Sequence, residues 1–143
     1  MNKIHFDSIT NLRSLLTNKT SRGLSAEVLD LVSIAPQQSE ILAAISGLLT
    51  NLEVPQAWIN YYATGMANEL HNHAGFENSD HLAIFILESG SVPEKFLCKD
   101  SAGITQEYDA ITGDCFIITN SEIHGLKECV APFTAAVFLL KTS

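Results

Sequence analysis

From Trp58 to Leu140 the chain is a succession of short apolar runs, each cut off by turn residues, and this pattern constrains the fold most. The segments that read as strands are Trp58 to Tyr62, Glu69 to His73, His81 to Leu87, Lys95 to Lys99, Cys115 to Thr119 and Phe133 to Leu140. Between them stand turn residues such as Thr64-Gly65, Glu77-Asn78-Ser79-Asp80, Ser89-Gly90, Ser101-Ala102-Gly103 and Thr112-Gly113-Asp114. Runs this short, bounded by glycine and small polar residues, read as strands. Many short strands of this kind close into a barrel or a sandwich. Leu82 to Leu87 and Ala135 to Leu140 are apolar without interruption, which predicts strands covered on both faces.

Before Pro55 the spacing is helical. Phe6, Ile9, Leu12 and Leu16 form one set, and Ile41, Ile45, Leu48, Leu49 and Leu52 form a second. The second set predicts an amphipathic helix that opens near Pro36 or Ser39 and ends before Pro55. Glu27 to Ile34 fits either element: Ser25 can cap a helix there, while Val28, Leu29, Leu31, Val32 and Ile34 also suit a strand. The expected organisation is a single domain over residues 1–143. A helical N-terminal segment (1–54) packs outside or across one end of a β-barrel (55–143), so the fold class is mainly β with N-terminal helices.

The 143 residues are enough for one substantial core. A hydrophobic content of 46% against 17% charged residues excludes a disordered chain. Eight basic against 16 acidic side chains give a net charge of −8, which disfavours nucleic acid and anionic membranes and leaves small molecules or proteins as the expected partners, a small-molecule substrate first. Met1 to Phe6 lacks the layout of a signal peptide, and no apolar run approaches the roughly 18 residues of a membrane span. Cys98, Cys115 and Cys129 are odd in number and have no CxxC spacing, as reduced thiols do, at least two of them in the core. A cytoplasmic protein is the expectation. No phosphate-binding loop, nucleophile elbow or dinucleotide fingerprint is present.

Four of the five histidines, His71, His73, His81 and His124, fall in the strand-rich part. His71 and His73, two apart on an extended segment, point to the same face. A neutral imidazole is the commonest protein metal ligand, and His124 on a distant strand can complete a coordination face. For each histidine alone, a hydrogen-bonded core or surface residue is the commoner role; His124 alone would be a loop residue after Asn120-Ser121. Trp58 and Phe85 read as barrel packing, and Asn68 and Asn72 as turn or outward-facing residues. Of Tyr61 and Tyr62, one must point away from any pocket, because adjacent strand residues alternate.

The stretch Gly65 to His73, GMANELHNH, resembles the first motif of the cupin superfamily, a glycine, five residues, then His-x-His. Gly113 to His124, GDCFIITNSEIH, has the spacing of the second, with Thr119 in place of its proline and Ser121 in place of its second glycine. The resemblance spans roughly residues 58 to 141. It implies a double-stranded β-helix (a cupin-like jelly-roll barrel), commonly a homodimer, with His71, His73 and His124 as metal ligands. A carboxylate usually completes the set. Glu77 follows His-x-His at the right distance, but alignment on Gly90 brings His81 or Asp80 closer to that place. Glu77 ranks slightly above His81.

A second resemblance, to the 2-oxoglutarate-dependent Fe(II) oxygenases of the same barrel, rests on Tyr62-x-x-Gly65 followed by His71, with Trp58-Ile59-Asn60 ahead. Those enzymes use His-x-Asp or His-x-Glu and commonly an arginine some ten residues past the distal histidine. Here His73 holds the acidic position, Thr134 the arginine's, and no arginine follows Arg22. The leading expectation is therefore a metal-dependent cupin, an Fe(II)-dependent dioxygenase acting on a small polar molecule, with Zn, Ni or Mn as other ions for the site. Glu77 either binds the metal or serves as a proton acceptor beside it. A 2-oxoglutarate oxygenase and a non-catalytic metal-binding or small-ligand cupin are the alternatives.

Overall fold

The computed structural model describes residues 1–16 and 25–142. In chain order the elements are β1 (Asn2–His5), α1 (Thr10–Arg13), a short 3-10 turn (Ser14–Leu16), β2 (Ser25–Val28), α2 (Ala35–Ile45) and β3 (Glu53–Tyr62). There follow β4 (Asn68–His71), β5 (His81–Glu88), β6 (Glu94–Lys99), β7 (Thr105–Ala110), β8 (Asp114–Thr119), β9 (His124–Leu126) and β10 (Phe133–Lys141). They form a six-stranded sheet in the order β1-β8-β5-β10-β3-β2 and a four-stranded sheet in the order β4-β9-β6-β7. Every pairing among the described strands is antiparallel.

The uninterrupted apolar runs lie where both faces of the larger sheet are covered. Leu82, Ile84 and Ile86 of β5 face the smaller sheet together with Phe133, Ala135 and Val137 of β10. The alternate residues, Ala83, Phe85, Ala136 and Phe138, pack on the other side against Ile9, Leu12, Ile34, Ile41 and Ile45. Period-two alternation thus feeds two cores from one strand. Phe85, Phe116, Phe133 and Phe138 are fully buried, and each contributes on the order of 2 kcal/mol or more of burial energy. The helices cover the outer face of the large sheet and leave the space between the sheets free.

Three local expectations need correction. Residues 1–54 are not wholly helical: β1 pairs with β8, β2 pairs with β3, and the first helix is only Thr10–Arg13. The spacing of Phe6, Ile9 and Leu12 arises because a strand end, a turn and a short helix all face one sheet. Glu27 to Ile34 resolves into the end of β2 and a turn, with no helix opened at Ser25. The first barrel strand, expected from Trp58, starts at Glu53, so Pro55 lies inside β3. It tolerates that place because β2 pairs only with Trp58 to Tyr61, and because the β3–β10 register slips between Leu139 and Lys141. A missing N–H is harmless where the ladder is already interrupted.

The motif glycines are fixed by backbone geometry. Gly65 and Gly113 have φ of 87° and 97°, in the left-handed region that side chains disfavour. At Gly113 a Cβ would also lie 2.5 Å from the Phe6 carbonyl oxygen. Its N–H donates to the Ile86 carbonyl and its own carbonyl accepts from the Phe6 N–H, so this turn locks β1 and β8 onto β5.

Candidate metal centre

His71 ends β4, and the β4–β9 register sets it directly across from His124. His73 lies two residues on, where its backbone N–H donates to the Asn120 carbonyl at 2.8 Å. One ring nitrogen from each of the three lies within 4.8 Å of the other two. Ring centroids are 4.4 Å apart for His71 and His124, 5.0 Å for His71 and His73, and 5.1 Å for His73 and His124. That spacing is short enough for the three rings to share one ion, given the usual ~2.1 Å imidazole–metal distance.

The hydrogen bonds behind the rings decide which nitrogens are presented. His71 Nδ1 lies 2.6 Å from the Glu69 carbonyl oxygen, and His124 Nδ1 lies 3.1 Å from that of Glu122. A carbonyl only accepts, so both Nδ1 atoms carry the proton, which makes Nε2 the atom each ring can offer to a metal. Such backing fixes tautomer and ring orientation in metal-ligating histidines. Burial, helped by the neighbouring His71, lowers the His73 pKa to about 4. Burial also dominates at His124, lowered to about 4 despite its bond to Glu122. Both rings are therefore neutral at physiological pH. Three converging imidazoles suit a divalent ion.

The triad opens on a cavity of about 230 Å³ between the sheets. Its apolar wall includes Ile84, Ile86, Phe96, Phe133 and Val137. Its polar strip comes from β3 and β4. Trp58, Asn60 and Tyr62 share one face of β3 and line the cavity, and Asn68 Nδ2 donates to the Tyr62 hydroxyl at 3.1 Å. Tyr61 points the other way and donates to Glu27, as strand alternation requires. Burial pushes the Tyr62 phenol up to about 12, against the lowering effect of its bond with Asn68.

Of the five residues expected at the metal, the structure brings His71, His73 and His124 together and leaves Glu77 and His81 outside the group. Glu77 is exposed in the segment after His73. His81 opens β5 across from Thr119, with Nδ1 2.7 Å from Asp80 Oδ1. That segment is pinned by Asn120, whose amide donates to the carbonyls of Ser79 (2.7 Å) and Phe76 (3.3 Å). All three cysteines are buried free thiols, with pKa values raised by burial. The sequence reading overlooked Asn60 and Gly125 and assigned Trp58 and Asn68 other roles, although all four line the cavity. The signal for Asn60 and Trp58 was their period-two spacing with Tyr62; the signal for Gly125 was its place beside His124.

Comparison with protein-family models and with curated proteins gives no match. Solved structures do match over nearly the whole chain. A prolyl-4-hydroxylase from Pseudomonas putida superposes with a TM-score of 0.73 at 14% identity, covering 99% of this chain and 92% of that one. A viral collagen prolyl hydroxylase from Paramecium bursaria Chlorella virus-1, in complex with 2-oxoglutarate, gives 0.69 at 9% identity, covering 99% and 96%. An RmlC-like cupin from Desulfovibrio desulfuricans gives 0.54 at 14%, covering 96% and 97%. The fold is the double-stranded β-helix. At these identities the likeness is one of fold, and chemistry has to be argued from the side chains. No helix among the described residues is long and apolar enough to cross a membrane.

Proposed function

We propose that the chain is an Fe(II)-dependent dioxygenase of the cupin kind, acting on a small molecule bound between the sheets, with His71, His73 and His124 as the metal ligands. One observation carries this: three imidazoles, two of them backed by backbone carbonyls, converge beside an apolar cavity. Bound ferrous iron would supply Lewis acidity and activation of O₂. Three neutral ligands leave the ion its full positive charge and open coordination positions for substrate and O₂. The apolar wall excludes competing water, while Asn60, Tyr62 and Asn68 orient the substrate's polar atoms. Glu77, being exposed and outside the triad, has no part in this scheme as ligand or base.

A 2-oxoglutarate oxygenase is the second reading, favoured by the superposition on prolyl hydroxylases. Against it, His73 holds the acidic position. Thr134, where the arginine would stand, does not line the cavity and donates to Glu88 at 3.0 Å. Anaerobic reconstitution with Fe(II), then addition of O₂, separates the readings. Oxygen uptake with a metabolite panel and without 2-oxoglutarate supports the proposal. Succinate formation that depends on His71 and His124 supports the second reading, and metal binding with no oxygen uptake supports a binding module.

A further inference from the structure

Away from the histidines, Asn60, Tyr62 and Asn68 gather at one point of the cavity. Asn60 and Tyr62 stand two apart on one face of β3, and Asn68 comes from β4, the strand that ends in His71. The Tyr62 ring is buried and packs against Phe133 with centroids 6.0 Å apart, which fixes the place of its hydroxyl. Asn68 Nδ2 donates to the Tyr62 oxygen at 3.1 Å. Burial pushes the phenol up to about 12, while its hydrogen bonds with Asn68 and Asn60 work the other way, as bonds donated to the oxygen do. A phenol accepts at its oxygen and has a proton of its own to donate. Both amides occupy the accepting side, which leaves the O–H as the group that Tyr62 offers to a ligand.

The strand register places this donor relative to the metal. Asn68 pairs with Leu126 and His71 with His124, so the Tyr62–Asn68 pair lies two residues along β9 from the histidines, about 6.8 Å. A metal-bound atom, about 2 Å from the ion, falls short of it. An oxygen several bonds further along the same molecule does not. From this we infer that the cavity takes a two-ended substrate, one end at the metal and the other a hydrogen-bond-accepting oxygen, of a carbonyl or a carboxylate, received by the Tyr62 O–H. Asn68 is a positioning residue: by donating to Tyr62 it turns that O–H towards the substrate. The inference rests on the proposed metal centre, which holds the first end. The wall here is apolar, with Phe133 beside Tyr62, so an oxygen brought to it gives up water. It is favoured over a methylene at that place only if the O–H meets it.

Paired small acids test this without turnover. Metal-free protein is first titrated with Co(II), whose visible absorption reports coordination. The loaded protein is then titrated with pentanoate against 4-oxopentanoate and with hexanoate against 5-oxohexanoate, followed by calorimetry and by the visible spectrum. The carboxylate is only the handle that binds Co(II); the members of each pair differ in the far carbonyl. At least one oxo acid should bind about five- to tenfold more tightly than its plain partner, the scale of one net hydrogen bond. Tyr62→Phe should reverse that order. Asn68→Asp, whose carboxylate accepts the phenolic O–H in place of the substrate, should reverse it too, and Asn68→Ala should bring the ratio near one. Neither change at Asn68 should move the ratio further in a Tyr62→Phe background. A merely structural role would weaken both members of a pair alike. Tighter binding of the plain acids by the wild type, no binding of either acid to the Co(II) protein, or an Asn68 effect that survives in Tyr62→Phe would overturn this inference alone. Absence of Co(II) binding would overturn the metal centre on which it rests.

Discussion

Replacing Gly125 by alanine should weaken the metal site without touching a ligand. Gly125 lies between His124 and Leu126 on β9, opposite a bulge in β4, where Asn68 pairs with Leu126 and His71 with His124. The bulge brings the β4 backbone in close. A Cβ at Gly125 would stand 2.6 Å from the Asn68 carbonyl oxygen and 3.2 Å from that of Glu69. To reach ordinary contact near 3.4 Å, the Asn68 carbonyl must retreat by about 0.8 Å. Both neighbours are backbone, so no side chain can swing aside. The Glu69 carbonyl is also the acceptor for His71 Nδ1, so the movement carries the group that fixes the His71 tautomer. Overpacking of this kind costs about 1–3 kcal/mol of stability, and disturbing the backing of a ligand costs about 10–100-fold in metal affinity. Metal titration, with urea denaturation on the same samples, measures both. Unchanged affinity in a folded Gly125→Ala protein would refute the claim that the β4–β9 spacing sets the triad.

Phe138→Ala should cost about 3–5 kcal/mol in urea denaturation yet leave metal affinity unchanged, because Phe138 packs against the helices on the far side of the sheet. Asn120→Ala removes the amide that holds the Ser79 and Phe76 carbonyls; it should cost about 1–3 kcal/mol and reduce metal affinity by less than loss of a histidine does, as parallel titrations would show. The metal-free protein should lose stability on acidification. Folded His73 and His124 stay neutral to about pH 4, whereas ordinary imidazoles protonate near 6.5, so the unfolded chain binds more protons between these values. Their contribution is complete above pH 6.5 and falls as pH drops towards 4, by at most about 3 kcal/mol for buried His124. Urea midpoints across that range check it; a flat profile, or greater stability at pH 4.5, would contradict it.

The parts of the fold legible in the sequence are those where burial is two-sided or the backbone demands glycine. Leu82 to Leu87 and Ala135 to Leu140 announced the central strands, and Gly65 and Gly113 marked turns that need a positive φ. β7 escaped because Thr105, Gln106 and Glu107 lie exposed on an edge strand, where no apolar run is required. β9 escaped because it is three residues long with a glycine at its centre. β1 escaped because three of its four residues are exposed, and Phe6, just beyond it, joins the same core as Leu12 and so falls into a helical spacing. At the site, the His-x-His spacing carried over directly, since alternation is local. The place of Glu77 did not, because the turn after His73 is held by Asn120, forty-odd residues away, and spacing along the chain cannot report that contact.

The central claim is that His71, His73 and His124 hold one divalent ion. The most direct measurement is metal content and affinity in protein purified without a chelating tag and reconstituted anaerobically with Fe(II), beside a His71→Ala, His124→Ala double variant shown to be folded. One ion per wild-type chain and loss of that ion in the double variant is the expected result. Equal metal content in the two proteins, or none in either after reconstitution, would contradict it.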